Sequence, residues 1–273
     1  MITVTFIRHG QSEDNLGLRR FWNRNPFGLV GRMHLYLNMQ ANALGRSFSS
    51  TSITHIYASP LLRALATAQY IQHHQPDPKP PLKTNAHLRE QYFGIAEGYP
   101  WVLQQPEDIP LEDLYQQRIF PVLYGRDAKF PEAESLNDLE RRAEIALREC
   151  VLPHLNESQS SESEHSCVHV AIASHGLCIG ELVAALVRLD PDAVHTMRFT
   201  GLSNTAWTRV NVRIREGHRG PIDPSNPPPL EVTITNTKEK NHLSTLNDIP
   251  HVELDGASAE ARAFFGGESV QAS

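Results

Sequence analysis

Cysteine is scarce in this chain of 273 residues: Cys150, Cys167 and Cys178 are an odd number with no C-x-x-C spacing. That argues against a disulfide framework and against a zinc site, and predicts buried or partly buried free thiols. A long apolar run is also missing. None approaches the roughly 20 residues that span a bilayer, so no membrane association is expected. The opening MITVTFIRHGQSEDN turns polar after seven residues and has no basic region ahead of an apolar stretch. It does not read as a secretory signal, and a cytoplasmic protein is expected, with the nucleus as the alternative. Positive charge is not in excess, since 25 Lys and Arg stand against 31 Asp and Glu for a net charge of −6. Nucleic acid is therefore not an expected partner, whereas a small anion can still be held by a few local cations.

What is present is globular. The chain is 40% hydrophobic and 21% charged, without an internal repeat. Its length suits one large domain with an appendage, here taken as residues 1–245 followed by a weakly ordered tail, 246–273, rich in small residues.

Strand and helix patterns alternate. ITVTFI is β-branched and apolar and stops at Arg8-His9-Gly10, which reads as a buried strand running into a loop. Residues 40–50 look helical, ITHIYA at 53–58 like a strand, and PLLRALATAQYIQHH at 60–74 like a helix with Pro60 and Arg63 in its first turn. Residues 75–81 form a proline-rich connector, and LREQYFGIAEG a loop beginning near Glu90. The proline-containing stretch 99–131 reads as an excursion over the mouth of a site, residues 135–152 as an amphipathic helix and 156–166 as a solvated loop. CVHVAIAS is a second buried strand, ending at His175-Gly176 ahead of a helical LCIGELVAALVRL. TAWTRVNVRI and LEVTITN are later strands. This order predicts an α/β fold, a three-layer α/β/α arrangement around a mostly parallel sheet, with ligand chemistry at the carboxyl ends of its strands.

A single Arg-His-Gly is weak, because a histidine after a strand is more often structural than reactive. The joint pattern FIRHGQSEDN, ASPLLRALATAQ, LREQYFGIAEG and ASHGLCIGEL, in this order and each at a strand end or helix start, is far more specific. Over roughly residues 2–240 it resembles the histidine phosphatase superfamily, in the phosphoglycerate-mutase-like branch that includes cofactor-dependent phosphoglycerate mutases and fructose-2,6-bisphosphatases. The resemblance implies that His9 stands in the place of the phosphorylated histidine. Arg8, Asn15, Arg63 and His175 match phosphate-pocket positions, and Glu90 matches the acidic proton donor.

The chemistry accounts for those residue types. A neutral imidazole can attack a phosphomonoester dianion that would repel an anionic nucleophile, and can carry the phosphoryl group as an intermediate. Arg8, Arg63 and His175 would hold the charge spread over the equatorial oxygens without a metal, and one carboxyl group would both protonate the leaving alkoxide and later deprotonate water. Glu97, one short loop away, is the alternative acid. Gln11, Ser12 and Glu13 are not assigned to catalysis. The His73-His74 pair lacks companions at zinc spacing and is placed at a helix end; no metal and no cofactor are expected.

The chain also departs from the family pattern. Between Asn15 and Gln40 the usual acidic and hydroxyl residues are missing and Arg19, Arg20, Arg24 and Arg32 make the segment basic, implying a remodelled or an impaired substrate pocket. The family's Gly-Gly-Glu-Ser reads Glu132-Ala133-Glu134-Ser135 here, so its glycines are lost. The expected activity is metal-independent hydrolysis of phosphate monoesters of a small metabolite through a phosphohistidine on His9. A phosphoglycerate-type phosphomutase is the alternative, and a catalytically weak interaction module on the same fold is the rival of another class. Substrate identity and oligomeric state stay open.

Overall fold

The structure, a computed structural model, describes residues 1–11, 31–99, 101–102, 108–160, 167–194, 199, 201–218 and 220–246. Ser12, Glu13, Asn15, Arg19, Arg20 and Arg24, and the tail from residue 247 onward, lie outside the described residues.

Strand β1 (Ile2–Arg8) sends Ile2, Val4 and Phe6 into one hydrophobic core and Ile7 into another on the opposite face of the sheet. Strand β6 (Val168–Ser174) is buried at every residue and divides likewise, Val168, Val170 and Ile172 against Ala171 and Ala173. Burial on both faces favours β-branched and small residues in both segments, and two of the buried polar side chains they do carry, Thr5 and His169, hydrogen-bond to each other at 2.8 Å. The six-stranded sheet has the order β3 (Leu82–Thr84), β2 (His55–Ala58), β6, β1, β7 (Trp207–Ile214), β8 (Leu230–Glu239). The β3-β2, β2-β6 and β6-β1 pairings are parallel. Pairings β1-β7 and β7-β8 are antiparallel, so β7 alone runs against the others and the edge strand β8 again follows the direction of β1. The Gly/Pro-rich loop between β7 and β8, which shows no helix among its described residues, returns the chain directly to a neighbouring strand, a connection that pairs strands antiparallel.

Helices cover both faces. On one side Leu44 of α1 (Gly31–Ser47) and Ala68 and Ile71 of α2 (Leu62–His73) pack on Ile7, Ile56 and Ala173. On the other, α4 (Leu136–Cys150) and α6 (Gly176–Val187) bury Leu139, Leu147, Ile179 and Leu186 in the larger core. The three-layer expectation holds. The excursion at 99–131 contains β4 (Trp101–Val102), α3 (Leu111–Gln116) and β5 (Phe120–Pro121), and its Leu114 and Phe120 are buried.

Four local readings are corrected. The helix expected at 40–50 begins at Gly31 and ends at Ser47, because LYLNMQANAL is made largely of good helix formers. Pro60 precedes α2 rather than entering its first turn; Leu61 is the N-cap, and Arg63 is the second helical residue. The loop expected from 156 is helical as far as Ser160 in α5 (Pro153–Ser160), which starts on a proline suited to a first turn and buries Leu155 despite its polar composition. Cys150 and Cys178 are buried, but Cys167, one residue ahead of β6, is exposed. His73 and His74 sit at the end of α2 as expected, His74 as its C-cap. Among the described residues no helix is long and apolar enough to cross a membrane.

Candidate active site

The parallel register of β1 and β6 pairs Arg8 with Ser174, so the next residues, His9 and His175, leave the sheet side by side. Their ring centroids are 5.0 Å apart. The His9 amide donates to the Ser174 carbonyl at 3.0 Å, which fixes the crossing. Strand β2 ends in step: Ala58 pairs with Ala173, and the Ser59 amide donates to the Ala173 carbonyl at 2.9 Å. That puts the buried Ser59 Oγ 2.8 Å from Nε2 of His175. Three adjacent strand ends thus deliver one cluster.

Within it, His9 Nδ1 lies 2.7 Å from the carbonyl oxygen of Gly10. A carbonyl only accepts, so Nδ1 carries the proton and Nε2 the lone pair. Arg63 Nε donates to that Nε2 at 3.2 Å. Burial, then the Arg63 and Arg8 guanidinium groups, hold His9 well below the ordinary imidazole range, which keeps the ring neutral. His175 is shifted the same way by burial, Arg63, His9 and Arg8. It is fully buried, and its Nδ1 makes no hydrogen bond among the described residues.

The cations are held by the same turns. Thr67, one helical turn after Arg63, donates to the Arg63 carbonyl at 2.8 Å and accepts the Gly10 amide at 3.0 Å, tying α2 to the His9 loop. Arg8 Nη1 donates to the Leu202 carbonyl, and the guanidinium lies alongside Gly176, the first residue of α6. Gln11 follows on the same loop, its amide donating to Gln40 Oε1 at 2.9 Å.

Glu90 reaches the start of α6. Its Oε1 accepts the Cys178 amide at 3.1 Å and its Oε2 the Leu177 amide at 3.3 Å, one and two residues beyond Gly176. The first amides of a helix have no partner within it, and the Glu90 side chain supplies one for each of these two. The loop carrying Glu90 is held from behind by Arg142 of α4. Its guanidinium donates to the His87, Arg89 and Glu90 carbonyls at 2.8, 2.8 and 3.0 Å and forms a two-pronged pair with Glu134 at 2.8 and 2.7 Å. Glu134 also accepts the Tyr92 amide at 2.9 Å. Glu97, the alternative acid, turns to its own loop and accepts the Phe93 amide at 3.0 Å.

Of the residues singled out in sequence, Arg8, His9, Arg63 and His175 are therefore brought together, Glu90 stands at the helix that follows His175, and Asn15 lies outside the described residues. Sequence reasoning gave no role to Ser59, Thr67, Arg142 or Glu134. Ser59 and Thr67 flank Arg63 within ASPLLRALATAQ, where a small hydroxyl residue has no pattern of its own. Arg142 was visible only as a charge on an amphipathic helix, and Glu134 only as the retained glutamate of the altered Gly-Gly-Glu-Ser pattern.

Comparison with known proteins gives a consistent result. The family model described as histidine phosphatase superfamily (branch 1) matches residues 4–218. A protein from Yersinia enterocolitica named as a probable phosphoglycerate mutase is 30% identical over 215 residues, covering 77% of this chain and 85% of that one. Among solved structures, a mycobacterial glucosyl-3-phosphoglycerate phosphatase complexed with VO3 superposes with a TM-score of 0.60 at 20% identity, covering 86% of this chain and 98% of that one. A phosphoserine phosphatase from Entamoeba histolytica, solved with 3-phosphoglyceric acid, gives 0.54 at 23% identity, covering 89% and 100%. At these identities the solved structures speak to the fold.

Proposed function

The chain belongs to the histidine phosphatase superfamily, branch 1, a membership that supports a phosphoric monoester hydrolase, and on that premise we propose that it hydrolyses phosphate monoesters of a small metabolite, without a metal, through a phosphohistidine on His9. The observation that carries this reading is the state of His9: neutral, with Nδ1–H on the Gly10 carbonyl and the Nε2 lone pair directed at a guanidinium that can bind phosphate. Nε2 attacks phosphorus in line, the N–P bond forms as the ester P–O bond breaks, and the leaving oxygen takes a proton from Glu90. The Gly10 carbonyl stays on Nδ1–H and stabilises the positive character the ring acquires. Water then attacks phosphorus, gives a proton back to Glu90, and the N–P bond breaks to release phosphate. Arg8, Arg63 and His175 are the groups we assign to the equatorial oxygens, where fixed donors are worth most. Asn15 is assigned to the same pocket from its motif position.

A second reading has one observation in its favour, the name of the Yersinia relative, a probable phosphoglycerate mutase. A mutase would return the phosphoryl group to a bound product instead of passing it to water. Incubating the protein with 3-phosphoglycerate and with a panel of sugar and amino-acid phosphates in EDTA tests both. Free phosphate, lost in His9→Ala, is the result the proposal expects; an isomer without phosphate release would establish the mutase instead.

A further inference from the structure

We propose that His55, His154 and Glu157 form a zinc-binding site at the amino end of the sheet, separate from the His9 cluster. Their ligand atoms all lie within 4.8 Å of one another. His55 opens β2, and the site end of that strand, Ser59, is four residues on, about 13 Å away along an extended chain. His154 and Glu157 are three residues apart on α5, one above the other on one helix face.

The hydrogen bonds around the cluster orient both rings. The Thr54 hydroxyl donates to the His169 carbonyl at 3.0 Å and accepts the His169 amide at 3.0 Å. Its one proton is spent, so the 3.1 Å contact with His55 has Nδ1 of His55 as the donor. The His55 lone pair is then on Nε2, which faces Glu157 Oε2 at 3.7 Å. His154 has Nε2 at 3.0 Å from the Tyr57 hydroxyl. Its Nδ1 is buried and lies 3.0 Å from Glu157 Oε1 but outside hydrogen-bond geometry. Each ring therefore has one nitrogen on an oxygen partner and the other turned to a shared carboxylate, the outer-shell pattern of metal-ligating histidines.

The His55 lone pair facing the carboxylate repels it, and a divalent cation between the three atoms converts all of them into ligands, His154 then carrying its proton on Nε2 and donating it to the Tyr57 oxygen. Zinc fits the donor set of two imidazoles and a carboxylate, and its bond lengths of 2.0–2.1 Å separate neighbouring ligands by about 3.3 Å. Reaching that spacing asks for little movement. The His154 side chain is 5% exposed and fixed, whereas Glu157 is 49% exposed and can swing inward, leaving the fourth position to water. The ion would clip α5 to β2. The ligands come from a strand and a helix far apart in the chain, which is why no sequence spacing betrays them.

The test is zinc alone, titrated calorimetrically into the chelator-treated full chain, with cobalt(II) substituted to report coordination. One ion per chain is expected, with a four-coordinate cobalt spectrum lacking a thiolate charge-transfer band. His55→Gln and Glu157→Gln, at partly exposed positions, should each weaken binding at least about tenfold, while phosphatase turnover and its resistance to EDTA stay unchanged. His9→Ala should keep the stoichiometry of one. No zinc binding by the wild type, wild-type affinity in both ligand variants, or loss of the ion in His9→Ala would overturn the proposal; the first of these is what a plain histidine–carboxylate ion pair gives.

Discussion

Arg63 Nε donates to His9 Nε2 across 3.2 Å, so the guanidinium expected to grip phosphate rests on the lone pair expected to attack it. Binding of a phosphoryl group must exchange that bond for one to an equatorial oxygen, freeing the nitrogen as the ligand arrives. The side chain thereby keeps the imidazole neutral and oriented beforehand and stabilises charge afterwards.

Replacing that fork should cost more than replacing its charge. Arg63→Lys is expected to lower kcat/KM by about 10²–10³, the range for removing one fixed donor to a transition-state oxygen. Steady-state hydrolysis of p-nitrophenyl phosphate measures it, and a lysine variant with wild-type kcat/KM would remove Arg63 from the pocket.

Glu90 should matter in proportion to the leaving group's need for a proton. Glu90→Gln is expected to slow alkyl phosphates by about 10²–10⁴ and p-nitrophenyl phosphate much less, since nitrophenolate leaves unaided. Rates unaffected for both substrates would move the acid role to Glu97.

Acid should loosen the fold early. Burial holds His169 and His242 down at about 4, and holds His9 and His175 well below their ordinary value. Each folded value lies under the unfolded 6.5, so the unfolded chain takes up protons that the native state refuses. Stability is then undiminished above about pH 7 and falls as the pH drops through 6.5 toward 4. At pH 5 the His169 difference alone amounts to about 2 kcal/mol. Thermal melts at pH 7 and pH 5 should show a clear fall in Tm; an unchanged Tm would mean that these imidazoles are not neutral in the fold.

Glu132 occupies the left-handed region, φ 61°, a backbone conformation that favours glycine. A side chain there costs roughly 1–2 kcal/mol, partly offset by the freedom glycine loses on folding. Glu132→Gly should therefore stabilise the protein by about 0.5–1 kcal/mol, seen as a higher urea midpoint at unchanged slope. A lower midpoint would show that the Glu132 side chain makes a contact worth more than the strain.

How much of this was legible in sequence varies with the distance over which each feature is encoded. Strands β1 and β6 were readable because burial on both faces makes each a short apolar run, and their shared His-Gly endings placed His9 and His175 at one sheet edge. Arg63 followed from its motif at a helix start. The Glu134-Arg142 pair was not readable, because it joins the residue before the N-cap of α4 to that helix's second turn and matters through the carbonyls of His87, Arg89 and Glu90, which it holds from another part of the chain. The reversed direction of β7 escaped for a similar reason: strand direction depends on how the chain returns, not on the strand's own residues. The helical residues 156–160 of α5 were missed where composition and packing disagree, as Leu155 is buried among polar neighbours, whereas α1 was read too short although its residues are largely good helix formers.

The central claim is a covalent bond between phosphorus and Nε2 of His9. Rapid acid-free quenching of the protein with a 32P-labelled monoester, followed by denaturation, tests it most directly. The account predicts a labelled chain whose phosphoryl group survives alkali, is lost in mild acid and is absent from His9→Ala. Phosphate release with no labelled chain at any quench time, or label retained in His9→Ala, would contradict it.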